Sequence, residues 1–340
     1  MKKPLRTIFH GLRHEHAPGK LATLAKLPED FEIVATVDDL ASATPTWHAK
    51  WPTGEGHRLV TAEEALAMPD IDVVFIETAN GDLVSAARPW AERGVAMHLD
   101  KPTGEAREPF RDLVALCRAK NVPLQLGYMY RANPGVQFLQ KIVREGVLGQ
   151  IVHVEANMDH HYGDDAYQAY VSTFQGGILY NLCCHLVDFI VPLMDGDLVR
   201  ASTCIGTAAG DPPDSRNRCS SLLEWKTSTA FVHSCSRIAH PARRLRVDGT
   251  NGTFEMEIIE RFDGKPLTGM LHLSRPAGGY ADRHNEIDFG VQADRYAGQL
   301  LELAEIVRCE RPNPVWRYDH DLRVHDVLLR MCGFHSAEKD

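Results

Sequence analysis

The sequence predicts an α/β domain built on a parallel sheet, followed by an α+β domain with a large, mainly antiparallel open sheet. Three observations carry this reading. Short apolar runs alternate with helix-spaced segments through the first third of the chain. After about residue 128 that rhythm gives way to strands separated by turn residues. At 340 residues, the chain is also longer than one core comfortably fills. The expected division is residues 1–127 and 128–340, with the last helix free to pack back on the first domain.

Residues 5–10 form an apolar run ending at Gly11, and 17–27 follow with helical spacing. A β-rich run at 31–37 stops at Asp38-Asp39, and a short helix is expected at 62–67. Segments 72–76, 95–99 and 123–127 read as buried strands, with helices at 83–93 and 110–120 between and after them. This βαβ alternation means a Rossmann-type sheet with helices on both faces, whose ligands bind outside the carboxyl ends of the strands. In the second domain a helix is expected at 134–145, closed by Gly146, and an alternating strand at 151–157. Residues 158–175 are polar and aromatic and read as a substrate loop, and 178–194 as one apolar helix. From 199 to 272, turns at 211–214, Asp248-Gly249, Asn251-Gly252 and Asp263-Gly264 separate several strands. Helices at 294–308 and 319–331 finish the chain.

Bulk chemistry narrows the partners. A net charge of -9 excludes a phosphate-binding nucleic-acid surface, and a small-molecule partner is expected. No stretch reaches the ~18 apolar residues of a membrane span, and His10, Arg13, His14, Glu15 and His16 stand where a signal peptide needs an apolar run. Eight scattered cysteines without a C-x-x-C pair suggest reduced thiols and a cytoplasmic location.

The first strand-to-helix turn is where a phosphate would meet helix N–H groups. It reads Gly11-Leu12-Arg13-His14-Glu15-His16, with Arg13 and His16 in place of the second and third glycines of G-x-G-x-x-G. Two alternatives stay open: the Arg13 side chain blocks a pyrophosphate, or its guanidinium binds one. Asp38 ends the second strand where this fold places an acid on the ribose 2'-hydroxyl, which favours NAD over NADP. Thr78 and Asn80 follow one buried strand, and Asp100, Lys101 and Pro102 follow the next, all on the ligand edge. A lysine just past a buried strand is partly desolvated and suited to hold or relay the proton of a substrate hydroxyl.

The order of Thr78-x-Asn80, Asp100-Lys101-Pro102, Gly127-Tyr128-Met129-Tyr130-Arg131, the segment 176–188 and Gly249-x-x-Gly252 resembles the glucose-fructose oxidoreductase / inositol dehydrogenase / MocA-type family over essentially the whole chain. The resemblance implies oxidation of a sugar or cyclitol hydroxyl with NAD(P), the reverse reduction, or a transient oxidation that enables elimination or hydrolysis. It implies that Lys101 holds the reacting hydroxyl, that His185 is the general base or acid, and that Asn181, standing where many members have Asp, orients the ring. Thr78, Asn80 and Asp38 match cofactor positions of that family, and Gly11, Arg13, His14, Asp100 and Lys101, on the turn and strand ends beside them, are expected to contact the cofactor as well. Tyr130, Arg131, His160, His161 and Asp188 are expected to face the substrate. Leu83 stands where many members carry a His.

Seventeen histidines raise a metal alternative, with His14, His16, His98 and His185 as candidate ligands. Three functions are therefore carried: an NAD-dependent oxidoreductase acting on a sugar, sugar acid or cyclitol; a keto-sugar lyase, hydratase or glycoside-cleaving enzyme with a metal or tightly held nicotinamide; and a non-catalytic sugar or nucleotide sensor. Tyr162, Asp164, Asp165 and Tyr167 are weighed as polyol ligands against a solvated loop, and Cys183 and Cys184 as buried apolar residues. A sheet face left uncovered by its own helices suggests a homodimer or homotetramer.

Overall fold

The computed structural model describes residues 2–39, 56–161, 165–315 and 317–334. The chain divides into two compact units, Met1–Tyr128 with Tyr296–His325, and Met129–Arg295 with Asp326–Asp340. The expected substrate-loop residues Tyr162 and Asp164 lie outside the described residues.

In the first unit β1 (Leu5–His10), α1 (Ala17–Leu24), β2 (Phe31–Val37), β3 (Leu59–Val60), α2 (Ala62–Ala67), β4 (Val73–Ile76), α3 (Leu83–Arg93), β5 (Ala96–Leu99), α4 (Arg107–Lys120) and β6 (Leu124–Leu126) follow in order. The strands form one six-stranded sheet, order β3-β2-β1-β4-β5-β6, with every pairing parallel. This is the doubly wound arrangement, and its switch point lies between β1 and β4. Val73, Val74, Phe75 and Ile76 of β4 are wholly buried, because a central parallel strand is covered on both faces. Each such side chain contributes ~1.5–3 kcal/mol of burial. A reciprocal box between Thr61 and Glu64 starts α2, and Asn121, in the left-handed region, ends α4. At the end of β1, Trp90 of α3 donates its indole N–H to His10 Nδ1 at 2.9 Å.

The second unit contains α5 (Pro134–Arg144), β7 (Ile151–Asn157), α6 (Asp165–Ser172), α7 (Cys184–Ile190) and strands β8 (Arg200–Gly206), β9 (Arg218–Glu224), β10 (Thr229–Cys235), β11 (Leu245–Gly249), β12 (Gly252–Met256), β13 (Pro266–Leu273) and β14 (Arg283–Val291). These eight strands form one sheet, order β14-β13-β12-β11-β7-β10-β9-β8, antiparallel except for β7 beside β10. Two expectations are corrected. Part of the polar segment 158–175 is helix α6, because Tyr167, Tyr170 and Val171 recur at helical spacing and are buried. The single apolar helix expected at 178–194 is a π-helical turn (Leu179–Cys183), then α7, then a 3-10 turn (Val191–Leu193). Pro192 has no N–H to continue the α ladder.

The large sheet has one buried and one open face. Val154, Ala156, Leu223, Ala230, Val232, Leu245 and Val247 are buried. Their neighbours in sequence form a row across the paired strands, Leu222, Phe231, Glu155, Arg246, Glu255 and Met270, in which Leu222 and Phe231 stay more than a third exposed. Helix α8 (Ala297–Val307) returns to the first unit, where Gln125 donates to the carbonyl of Gln299 at 3.0 Å. Helix α9 (Arg317–Met331) closes the described chain. Among the described residues no helix is long and apolar enough to cross a membrane.

Candidate functional site

The turn after β1 is fixed by glycine at one point. Gly11 has φ +96°, and a Cβ there would lie 2.6 Å from the Thr78 amide nitrogen, so only glycine lets the β1 and β4 ends approach this closely. Beyond it, the turn spends its own donors. The Leu12 N–H is bound by the Asp39 carboxylate at 2.6 Å, and the N–H groups of Arg13 and His14 reach the Glu77 carbonyl at 3.2 and 2.9 Å. The His16 N–H is accepted by His14 Nδ1 at 3.1 Å. Burial raises the Asp39 carboxyl to about 6, while Asp38 at the strand end is exposed. The side chain of Arg13 is buried, with Nη1 3.5 Å from the Asp39 carbonyl.

Lys101 follows β5 through a cis peptide to Pro102. Its ammonium is wholly buried and paired at 2.7 Å with Glu15, a residue of the glycine turn. Burial opposes the charge on Glu15, but Lys101 outweighs it and holds the carboxyl well below the usual range. Behind this pair lies a denser cluster. Lys20 of α1 donates to Glu77 at 2.7 Å and also to Asp100, and all three side chains are fully buried. Asp100 also meets His16 Nδ1 at 3.2 Å and His14 Nδ1 at 3.3 Å. Gly127 gives this cluster room, since a Cβ there would lie 2.7 Å from Asp100 Oδ1.

The charges in this cluster sort themselves by environment. Burial, then the neighbouring Asp100 charge, pushes the Glu77 carboxyl well above its ordinary range. Burial works against Asp100 too, but its basic neighbours, the Lys20 ammonium among them, hold its carboxyl well below. Of the two acids, Glu77 is thus the one that holds a proton more readily, and Asp100 the one that stays ionised beside Lys20. His14 and His98 are both held down to about 3 by burial, and both stay neutral. Gln125 Oε1 accepts from His98 Nδ1 at 2.8 Å, which leaves Nε2 as the lone-pair nitrogen. That atom is buried with no hydrogen-bond partner among the described residues.

Of the candidate metal ligands, His14, His16 and Asp100 form one group with ligand atoms within 4.8 Å of one another, and Glu77, His98 and Asp100 form another. His185 belongs to the second unit. Lys20 already bridges Glu77 and Asp100, where a divalent ion would have to bind. The donor set therefore does not suit a metal unless that ammonium leaves.

In the second unit Asn181 sits in the π-helical turn and His185 in α7, both buried. The Tyr130 ring stands edge-on to His185 at 5.8 Å between centroids. Arg131 and Asp188 bind each other through a two-point pair, 3.0 Å at Nε and 2.6 Å at Nη2, so each is spent on fixing the other. His160 is buried, and its Nδ1 accepts from Arg243 at 3.0 Å; His161 is exposed. Thr78 and Asn80 are buried at the end of β4.

Sequence reasoning missed Lys20 and Glu15, and read Asp39 only as a charge against a 2'-phosphate, not as the partner of the Leu12 N–H. Lys20 left a signal: a lysine three residues into α1, on the face shared with Ala17, Thr23 and Leu24, is out of place on a core face unless an acid meets it.

The fold and these residues define a class: a doubly wound dinucleotide-type unit with a lysine at its ligand edge, joined to a unit built on an open, mainly antiparallel sheet. The description "GFO/IDH/MocA C-terminal domain" matches residues 136–255. The chain is similar to D-apiose dehydrogenase of Paraburkholderia graminis, 26% identical over 212 residues, 59% of this chain and 55% of that one; it thus spans about half the length of that relative. It is also similar to 2,7-anhydro-N-acetylneuraminate hydratase of Escherichia coli, 24% identical over 79% of this chain and 72% of that one. The inositol dehydrogenase homologue of Azotobacter vinelandii, solved with NADH and myo-inositol, shares the fold with a TM-score of 0.76 at 13% identity, over 98% of this chain and 95% of that one. Over residues 136–255 the chain thus matches the GFO/IDH/MocA C-terminal domain.

Proposed function

We propose that the protein is an NAD-dependent oxidoreductase acting on a hydroxyl or ketone of a sugar, sugar acid or cyclitol. The observation that carries this reading is Lys101, a buried ammonium at the carboxyl end of β5, on the edge where doubly wound sheets take their ligands. When bound, the nicotinamide supplies the hydride acceptor or donor. Thr78, Asn80 and Lys101 would hold its nicotinamide end, and Asp38 the adenosine ribose. Because the Leu12, Arg13 and His14 N–H groups are engaged by Asp39 and Glu77, the Arg13 guanidinium takes over the pyrophosphate from the backbone. Of the two alternatives for Arg13, this is the one we adopt. Asp38 and Asp39 would repel a 2'-phosphate, which favours NAD.

The remaining steps belong to the chain. Lys101 donates to the reacting hydroxyl oxygen and stabilises the negative charge that develops as its proton leaves. The His185 imidazole takes that proton in oxidation and returns it in reduction. Asn181 donates and accepts hydrogen bonds to the ring, and it cannot take a proton. Arg131 and Asp188 hold the segment on which Tyr130 meets His185.

The closed turn favours a second reading on the same scaffold: a lyase or hydratase that keeps its nicotinamide through the cycle. Similarity to a hydratase supports it. The test is NAD binding by calorimetry together with nicotinamide release on denaturation. Titratable NAD with turnover that produces NADH supports the oxidoreductase. Bound nicotinamide without net NADH supports the lyase, and neither observation sinks both readings. Lys101→Ala is expected to lower turnover at least ~100-fold; unchanged turnover would remove Lys101 from the mechanism. A homodimer or homotetramer through the open face of the large sheet is proposed with it, and light scattering that finds a monomer at micromolar concentration overturns that proposal.

A further inference from the structure

The open face of the large sheet carries a pair of histidines that none of the roles above uses. His272 of β13 and His284 of β14 stand directly opposite each other in the strand register. Opposed residues on one sheet face hold their Cβ atoms about 4.5–5.5 Å apart, so the backbone itself brings the two imidazoles together. Their rings are perpendicular, with centroids 4.5 Å apart, and the two Nδ1 atoms meet.

The far nitrogen of His272 decides which atom carries its proton. Nε2 lies 3.1 Å from Glu255 Oε1, and a carboxylate only accepts, so the proton sits on Nε2. The neutral His272 ring therefore turns its Nδ1 lone pair toward His284. Glu255 is held in turn, because its other oxygen accepts from Arg246 Nη1 at 2.9 Å. A carboxylate on the far nitrogen is what fixes the ring and tautomer of metal-bound histidines and raises their basicity.

The first-unit cluster fails as a metal site because Lys20 already bridges its acids, and this pair differs on that point. The neighbouring guanidiniums are spent on acids: Arg246 also pairs with Asp248 at 2.9 Å, and Arg261 with Asp263 at 2.6 Å. Beside His272, Glu255, Glu257 and Glu286 line a cavity of about 390 Å³, which gives water access to the pair.

We propose that His272 and His284 form a surface site for a divalent ion of the zinc type, bound through the two Nδ1 atoms with water in the remaining positions. Glu255 is its positioning residue. Imidazole ligands select zinc, copper or nickel over magnesium and calcium. An ion about 2.0–2.1 Å from each nitrogen fits once His284, exposed on the edge strand, swings outward. It ties β14 to β13 at the end of the sheet. The site lies four strand positions from β10, about 19 Å at ~4.8 Å per strand, away from the exposed Leu222 and Phe231. It is independent of the reaction proposed above.

Calorimetric titration of the full chain with zinc chloride tests it, with magnesium chloride as the comparison. Zinc is expected to bind and magnesium is not. His272→Ala and His284→Ala should each weaken the zinc site about tenfold or more, and Glu255→Gln by roughly 10-fold to 100-fold. His153→Ala, a histidine substitution on another strand of the same sheet, should leave it unchanged. Zinc should also raise the thermal midpoint of the wild-type protein but not that of His284→Ala. No zinc binding at millimolar concentration, equal binding of magnesium, or a zinc affinity that survives both His272→Ala and His284→Ala overturns the inference, and an affinity indifferent to Glu255→Gln removes the positioning role. Should a variant lose its thermal transition, substoichiometric copper(II) on the wild-type chain decides: a paramagnetic resonance spectrum with coupling to two imidazole nitrogens supports the site, and coupling to one or none refutes it.

Discussion

In the first unit Lys20, Glu77 and Asp100 are fully buried and pair with one another and with the neighbouring histidines. In the second unit Arg243 and Arg295 converge on buried Glu260 while keeping a quarter to a third of their side chains exposed. Both arrangements are ion-pair clusters, but they do different work. A fully buried set must be neutral in total, because desolvated charge is costly and its members cannot be rehydrated; it fixes which group carries a proton. A half-open set need not balance within itself, because water shields its charges. Burial, more than the count of charges, decides how strictly such a cluster must balance.

The largest expected effect tests the buried side. Lys20→Met leaves Asp100 in the core without its ammonium and is expected to cost ~3–5 kcal/mol, read as a lower urea midpoint. A loss under ~1 kcal/mol would show that the cluster is not held by charge. Removing one partner is destabilising even though the pair itself need not be stabilising overall.

Next comes acid sensitivity. His14 and His98 are held near 3 and His10 near 4 by burial, against an ordinary value near 6.5. Their contribution is fully present above about pH 6.5 and is lost as pH falls toward those values, because the unfolded chain binds three protons that the folded chain refuses. Glu77 acts in the opposite sense: its raised carboxyl holds a proton in the fold that the unfolded chain releases above about 4.5. Stability should therefore fall as pH drops from 6.5 to 5, by less than the ~4 kcal/mol per pH unit that three fully refused protons would give. Urea midpoints at several pH values measure this slope, and Glu77→Gln should steepen it. A flat profile would mean these imidazoles are not held neutral.

A smaller effect is expected where the two kinds of cluster meet in function. Glu15 places a carboxylate in the turn proposed to receive a pyrophosphate. Glu15→Gln should therefore tighten NAD binding by roughly threefold to tenfold, on the scale of one partly screened charge. It should also shift the alkaline limb of any pH–rate profile to lower pH, because the Lys101 ammonium loses its paired carboxylate, which a merely structural role would not do. Unchanged affinity and profile would detach Glu15 from the cofactor.

Most of the parallel sheet is readable from the sequence. Residues 5–10, 31–37 and 83–93 form the expected elements with the expected ends, because central parallel strands are plain apolar runs and their helices end at strong stop signals. Strand β14 was not legible: Glu286 and Asp288 are exposed and Ile287 and Phe289 only partly covered, as suits an edge strand with a weak apolar signal. Helix α6 was hidden by polar residues between its buried tyrosines. At the candidate site the sequence located Lys101, Thr78, Asn80 and Asp100, each at the end of an unmistakable strand. It did not disclose Lys20, Glu15 or the hold of Asp39 on the glycine turn. Their importance comes from contacts across 57 to 86 residues of chain in the first two cases and 27 in the third, and no local pattern encodes such a distance.

The Lys20–Glu77–Asp100 set also has a meaning for descent. Each member is tolerable in the core only while the other two are present, so losing any one alone exposes the lineage to a folding penalty. Relatives should carry the three together or replace them together, and a protein with Lys20's equivalent but small apolar residues at the two acid positions should be rare. The trio would then mark a branch of the family more sharply than Asp100-Lys101-Pro102, because its inheritance is enforced by electrostatics within the fold and survives a change of substrate.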